Sequence, residues 1–347
     1  MIVIDGSMGE GGGQVLRTAL GLSLVSGKAF RLERIRAKRP KPGLRAQHLT
    51  CALAAQQVGA ASVEGATLSS RELVFVPQDV AAGAYRFDVG TAGSTTLVLQ
   101  TVLPALMLGC EASSLTLIGG THNSMAPSAD FLEEVFLGQL AKMGPKVSFR
   151  MVRPGFYPNG GGQLQVRIQP VEQLKSLELL EQGRLVERQA RIYLAGLPLH
   201  IAQREQATLQ KALGWDEKLF DLRCFDNERG PGNAICVLMR YEQAAEVCSG
   251  FGKQGMSAEQ VAKAVVRQIK QYHQDAAPVG EHLADQLLIP LALAGGGRFR
   301  TGRPSQHTTT NMQVIQMFLD VRFGVEEIGN GVFEISVSNR IEHGSDG

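Results

Sequence analysis

Apolar positions along this chain fall into helical and strand-like spacings that follow one another in a repeated order: helix, strand, polar loop, second helix, strand. The first copy predicts a helix over 14–26, a strand over 29–36, a loop over 37–46, a helix over 47–58 and a strand over 72–77. The second runs from a helix at 94–108 through a strand at 113–119 and a loop at 121–129 to a helix at 130–143 and a strand at 146–152. The third has a helix over 281–294, a strand over 298–301, a loop over 302–306, a helix over 307–323 and a strand over 332–338. Gly27, Gly109 and Gly295 stand near the end of each first helix, where a left-handed cap is needed. Three similar units imply internal quasi-symmetry, and packing them around a pseudo-threefold axis would gather their polar loops on one side.

Residues 184–276 break this rhythm and read as strands at 186–195, 219–225, 233–240 and 244–250 with helices at 200–213 and 258–273. Ser257 and Gln260 open the last helix in capping-box spacing. The expected fold class is therefore α/β: a large, discontinuous repeat domain (1–183 and 277–340) interrupted by a small α/β domain (184–276).

A chain of 347 residues is long enough for such an arrangement. Its near-balanced charge of +2 argues against coating nucleic acid indiscriminately. The local balance differs, because Arg31, Arg34, Arg36, Lys38, Arg39, Lys41 and Arg45 are opposed only by Glu33, and Pro40, Pro42 and Gly43 stiffen the stretch. Held cations of this kind suit phosphate, although a solvated basic loop would look the same. Cys51, Cys110, Cys224, Cys236 and Cys248 are odd in number and never spaced as CxxC, so they read as reduced and mostly core thiols, not as a disulfide or zinc framework. Neither a secretion signal nor a run of about eighteen apolar residues is seen, which makes a cytoplasmic location and no membrane partner the expectation.

Chemistry concentrates in a few motifs. Gly9-Glu10-Gly11-Gly12-Gly13-Gln14 joins a short strand to a helix carrying Arg17, where backbone amides and the helix N-terminus favour an anion. The spacing is neither GxGxxG nor GxxxxGK[ST], and Glu10 would repel a phosphate unless a divalent cation, magnesium or manganese, lay between them. A plain tight turn would use the same glycines. Gly90-Thr91-Ala92-Gly93-Ser94-Thr95-Thr96 offers hydroxyls and amides that suit a phosphate or ribose, or that merely cap a helix. Gly155-Phe156-Tyr157-Pro158-Asn159-Gly160-Gly161-Gly162 is either a functional loop or only a sharp reversal between strands. In Ser305-Gln306-His307-Thr308-Thr309-Thr310-Asn311 the histidine sits in the first turn of a helix, whose positive end favours the neutral, nucleophilic imidazole.

Together, GEGGGQ with Arg17, RPKPGLRAQH, GTAGS, GFYPNGGG, GEHLADQ and SxHxxTN resemble the RNA 3'-terminal phosphate cyclases across nearly the whole chain. The resemblance implies three βαβαββ-type units, akin to the C-terminal domain of a translation initiation factor, with a thioredoxin-like insertion. It implies that His307 takes AMP from ATP, that AMP passes to an RNA 3'-phosphate, and that a 2',3'-cyclic phosphate results. It further implies Glu10 as metal ligand, Gln14, Arg17, Arg36, Arg39, Gln47 and His48 around the phosphates of ATP and of the RNA end, Pro127 and Phe131 against adenine, and Asp285 and Gln286 near the nucleotide. Two positions depart from the family pattern: Pro154 replaces a basic residue before GFYP, and His282 replaces a tyrosine otherwise expected against adenine. A ribosome-assembly factor lacking the nucleophile, and an enolpyruvyl transferase built from similar units, are the competing readings; the retained His307 argues against the first, and covalent AMP would discriminate the second.

Overall fold

A computed structural model describes residues 1–226 and 230–340. Its first sheet comes from β1 (Ile2–Asp5), β2 (Phe30–Glu33), β3 (Ser62–Glu64) and β4 (Leu73–Val76), with α1 (Gln14–Ser26) and α2 (Ala46–Val58) between them. Their order is β1-β2-β4-β3, β1 and β2 parallel and β4 antiparallel to both its neighbours. Next come β5 (Ala84–Asp88), α3 (Thr95–Leu106), β6 (Ser113–Gly119), α4 (Ala129–Phe131), a π-helical turn (Leu132–Phe136), α5 (Leu137–Lys142), β7 (Lys146–Arg153) and β8 (Gly162–Gln169). Their sheet has the order β5-β6-β8-β7 and the same pattern of directions.

After β9 (Leu177–Leu179) the chain forms β10 (Leu185–Ala195), α6 (His200–Leu213), β11 (Phe220–Phe225), β12 (Gly232–Tyr241), β13 (Ala245–Phe251) and α7 (Ala258–Asp275). These strands make a sheet of their own, β11-β10-β12-β13. The chain then returns through α8 (Glu281–Leu293), β14 (Gly296–Thr301), α9 (Gln306–Phe318), β15 (Val321–Gly329) and β16 (Val332–Asn339). With β9 these give β9-β14-β16-β15, the order and directions of the first two sheets once more. The protein is thus a mixed α/β fold of small mixed sheets, and among the described residues no helix is long and apolar enough to cross a membrane.

Side-chain alternation explains how the β10–β13 sheet is held. Ala190, Ile192 and Leu194 of β10, with Ile235, Val237 and Met239 of β12, face a core shared with α6 and α7. Their neighbours Tyr193, Ala195, Ala234, Cys236 and Leu238 join the main core instead. A period of two therefore buries both faces and docks this sheet firmly against the rest of the molecule.

The helix expected over 307–323 stops at Phe318, because Leu319 turns to an extended conformation and the following residues form β15. Apolar residues at 318, 319, 321 and 323 satisfy either period, and pairing with β16 settles the choice. Of the five cysteines, Cys51, Cys236 and Cys248 are buried, whereas Cys110 and Cys224 are exposed.

Glu246, at the start of β13, is only 8% exposed. Burial pushes its carboxyl up to about 8, partly opposed by the hydrogen bond from the Val247 amide. A raised carboxyl binds its proton more tightly folded than unfolded, so its contribution is complete below about pH 4.5 and is lost as pH rises through about 8. Glu246→Gln is therefore expected to flatten the fall in Tm between about pH 4.5 and pH 8, the interval between the unfolded and folded values, measured by thermal denaturation across that range. An unchanged slope would show that this carboxyl does not titrate there.

Candidate active site

The glycine turn after β1 is wedged between α9 and the basic loop. Gly9 and Gly11 take left-handed backbone angles, and a Cβ on either would run into Thr310 or Lys38. Glycine is thus required here for conformation and for close approach alike. Lys38 donates from Nζ to the Gly9 carbonyl (2.7 Å), and Arg39 pairs with Glu10 Oε1 (2.5 Å). Arg36 spends its Nη1 on the carbonyls of Lys41 (2.7 Å) and Gly43 (2.8 Å), which braces the loop.

The imidazole of His307 projects from the first turn of α9, where Ser305 Oγ accepts from the Thr308 amide (3.3 Å). Its side chain is 46% exposed, and its Nε2 lies 3.0 Å from Glu10 Oε2. On the other side, Nδ1 lies 2.7 Å from Gln14 Oε1. Gln14 in turn donates from Nε2 to Asp285 Oδ1 (2.5 Å), which also accepts from Asn311 Nδ2 (2.9 Å). Thr18 Oγ1 donates to Asn311 Oδ1 (2.7 Å) and orients that amide.

This chain of partners orients the ring. A carboxylate oxygen only accepts, so Gln14 must turn its NH2 towards Asp285 and its carbonyl towards His307, and Nδ1 then carries a proton. By the same rule the contact of Nε2 with Glu10 Oε2 is a hydrogen bond from Nε2, so Nε2 presents a lone pair to the cleft only when that carboxylate is drawn away. Burial pushes the Asp285 carboxyl upward, with the charges of His307 and Arg17 and the hydrogen bonds from Asn311 and Gln14 opposing it.

His307 stands at the rim of a cleft of about 630 Å³ that Arg17, Pro127, Phe131, Asp285 and Gln286 also line. Phe131 meets His282 edge-on, ring centroids 6.1 Å apart, so His282 occupies the cleft wall at its departing position. Behind it lies a small cavity of about 60 Å³ shared by Gln14, Arg17, Asp285, Gln286 and Gln100. Gln100 Nε2 and Gln286 Oε1 are buried with no hydrogen-bond partner among the described residues, one donor and one acceptor lining both spaces. Orphaned buried amides call for a polar ligand, and a purine ring offers both complementary groups.

His48 lies beside Gly13, so close that a Cβ there would collide with its Nε2. Burial, reinforced by Arg17, Arg36 and Arg45, pulls its pKa down to about 3, so the ring is neutral. Nδ1 accepts from the Arg45 amide (3.3 Å), which leaves Nε2–H as a donor facing the glycine turn. Arg17 shares this pocket of the fold, its guanidinium likewise close to Gly13. Burial lowers the Arg17 pKa from its ordinary value, with Cys51, Asp285 and Glu10 pulling the other way.

Gln47 is placed differently from its neighbour: its Oε1 accepts from the Ser94 amide (2.7 Å) and ties α2 to the start of α3. The GTAGSTT turn, expected to suit phosphate or ribose, is spent on internal bonding. The Gly90, Gly93, Ser94 and Thr95 amides bond within the protein, and Thr96 Oγ1 donates to the Pro127 carbonyl (2.9 Å). It is a joint that holds the wall carrying Pro127. GFYPNGGG is a reversal with the same purpose: Gly155 packs so closely on Gly119 and Gly162 that a side chain could not enter, while Phe156 stacks on His122 at 5.7 Å.

Two residues escaped the sequence reading. Gln100 is a polar residue within the otherwise apolar run of α3, and Asn311 closes the SxHxxTN motif; each is a polar side chain where the surrounding period calls for an apolar one.

Among the described residues, His122, Asp130 and Cys236 are the group dense enough to suggest a metal. Asp130, however, already accepts from His122 (2.9 Å), Tyr193 (2.7 Å) and Arg191 (3.1 Å), and a guanidinium beside it opposes a cation. Glu10, the metal ligand expected from the sequence, has both carboxylate oxygens engaged, one by Arg39 (2.5 Å) and the other by His307 (3.0 Å).

Fold and site together define an α/β enzyme of the group-transfer type, with an oriented histidine at the edge of a cleft built by distant parts of the chain. The family model described as RNA 3'-terminal phosphate cyclase matches residues 8–325. An RNA 3'-terminal phosphate cyclase of Koribacter versatilis (strain Ellin345) is 50% identical over 330 residues, 95% of this chain and 93% of that protein. The chain belongs to the RNA 3'-terminal phosphate cyclase family.

Proposed function

We propose that this protein converts an RNA 3'-terminal phosphate to a 2',3'-cyclic phosphate at the expense of ATP, with AMP carried on His307. Nε2 attacks the α-phosphorus of ATP, the bond to the β-phosphate oxygen breaks, and pyrophosphate leaves. An oxygen of the RNA 3'-phosphate then attacks the same phosphorus, breaking the P–N bond and freeing the imidazole. Finally the adjacent 2'-hydroxyl attacks the activated terminal phosphate, gives up its proton, and AMP departs. Adenylation is required because a monoester cannot close a strained five-membered diester without a good leaving group.

Within this reading Arg17, Arg39 and the Nε2–H of neutral His48 offset the charge growing on the transferred phosphoryl oxygens. Arg36 and Gln47 support them by bracing the basic loop and its junction with α3. Pro127 and Phe131 flank adenine, and Asp285 and Gln286, joined by Gln100, lie along the nucleotide. Glu10 would hold a magnesium or manganese ion that neutralises phosphate charge and releases His307 from its contact with this carboxylate. The observation that carries the proposal is the continuous chain Asp285–Gln14–His307–Glu10–Arg39.

The same proposal takes residues 1–183 and 277–340 as one domain of three βαβαββ repeats and 184–276 as an inserted thioredoxin-like α/β domain. The shared strand order of three sheets and the separate core of the fourth support it; residues 227–229 lie outside the described residues. A role in RNA processing in the cytoplasm completes the reading. Incubation with ATP labelled at the α-phosphate is expected to leave acid-labile label on the chain, discharged by an oligoribonucleotide with a 3'-phosphate and not by one with a 3'-hydroxyl. Absence of label on the native protein with magnesium or manganese present would reject the mechanism.

A further inference from the structure

The cleft has two walls of different origin. One carries His307, Arg17 and Asp285; the other is built by β13, the turn after it and α7, and brings Phe251, Lys253 and Met256 opposite the nucleophile. Nothing in the ATP reading uses this second wall, although it lines the same cleft as His307 and Asp285. A reaction joining a nucleotide to the end of a polymer needs room for both.

The second wall has the chemistry for the polymer. Lys253 is exposed, and among the described residues no carboxylate pairs with it. It sits in a tight turn closed by the Met256 amide on the Lys253 carbonyl (3.0 Å), which fixes its backbone at the edge of the cleft. Phe251 and Met256 are half-buried and leave apolar surface towards the cleft. Gln268 of α7 satisfies both the amide (3.2 Å) and the carbonyl (2.8 Å) of Ser249, which fixes the free edge of β13 beneath them. On the opposite wall Glu281 and Asp285 would repel a phosphodiester passing outward, while Lys253 would attract one.

We infer that the Phe251–Lys253–Met256 wall seats the 3'-terminal nucleoside of the RNA, its base against Phe251 and Met256 and the phosphodiester on its 5' side at Lys253. This rests on the cyclase reading above, and it assigns the segment 184–276 a part in reading the RNA end. The wall acts after His307 has been adenylated, because only then does the RNA phosphate enter the reaction.

The two half-reactions separate this claim from the reading beneath it. With the full-length protein, Lys253→Ala is expected to leave self-labelling by ATP within about twofold of native. It should raise KM for a short oligoribonucleotide 3'-phosphate on the order of tenfold and reduce the salt dependence of that KM by about 0.7 in logarithmic slope, one phosphate contact on a single strand. Lys253→Arg should restore both. Phe251→Ala should raise the same KM by roughly tenfold, about the weight of one base–aromatic stack, with Phe251→Tyr as the variant that keeps the ring if alanine unsettles the fold. An RNA KM and salt slope unchanged in Lys253→Ala would overturn the inference, as would an equal loss of self-labelling, which would assign the wall to ATP. No self-labelling in the native protein would instead defeat the cyclase reading itself.

Discussion

Replacing His307 with alanine is expected to abolish the covalent AMP outright, and replacing Gln14 with alanine to slow its formation on the order of 10²–10³-fold. The first result follows, on the proposed mechanism, from removing the nitrogen that would carry AMP. The second is more diagnostic, because Gln14 touches no phosphorus. Its carbonyl holds the Nδ1 proton (2.7 Å) and its amide is held by Asp285 (2.5 Å), so it dictates which ring nitrogen keeps its lone pair. Without it the imidazole can rotate or exchange tautomers, and the fraction presenting a free Nε2 to the cleft falls. Asp285→Asn should cost less than Gln14→Ala, since an amide oxygen at the Oδ1 position can still accept from both Gln14 and Asn311. Single-turnover labelling with α-phosphate-labelled ATP distinguishes these cases. Equal rates for native and Gln14→Ala would remove Gln14 from the mechanism while leaving His307 in it.

The parts of this arrangement that the sequence made legible are those governed by periodicity. Helices and strands with an alternating or amphipathic burial pattern, such as α6 over His200–Leu213 and β6 over Ser113–Gly119, are readable because their own side chains report which face is buried. Of the strands that escaped notice, β5 does alternate, with Tyr85 and Phe87 buried between exposed Ala84, Arg86 and Asp88, and could have been read; the others report nothing of the kind. β3 and β9 span three residues each, and β15 is exposed along most of its length, so pairing with neighbours far away in sequence creates them. The site divides along the same line. His307, Glu10 and Gln14 lie in motifs whose composition already demands chemistry, whereas the glycines of GTAGS and GFYPNGGG could equally serve a ligand or a close backbone contact, and only the packing of Gly155 on Gly119 and of Ser94 on Gln47 decides for the contact. Gln100 was invisible because a lone glutamine in an apolar helix gains its meaning from the cavity in front of it.

Asp130→Ala is expected to destabilise the protein by about 3–5 kcal/mol, the usual cost of removing one partner from a buried ionic cluster. Asp130 is 3% exposed. Burial alone would push its carboxyl up, but hydrogen bonds from His122 and Tyr193 and the charges of His122 and Arg191 outweigh that and hold it well below the ordinary range. A lowered carboxyl contributes stability that is present above its unfolded pKa of about 4 and is lost only as pH falls below it, so the native cluster is intact at neutral pH. Alanine would leave without an acceptor the Tyr193 hydroxyl proton, one ring nitrogen of His122 and part of the Arg191 guanidinium; Tyr193 would keep only the bond it accepts from Arg223 (3.2 Å), and the links from Arg191 to Glu134 (2.6 Å) and from Arg240 to Glu134 (2.5 Å) replace none of these. Against a total of roughly 5–15 kcal/mol, such a loss should move the urea midpoint strongly with little change in slope. Because Asp130 directly precedes Phe131 and joins α4 to β10, the damage should also loosen the cleft wall, so ATP KM in the variant should rise even at temperatures where it remains folded. Asn at this position keeps an acceptor for Tyr193 and should lose distinctly less. A midpoint for Asp130→Ala within error of native would mean that the β10–β13 sheet docks through its apolar face alone.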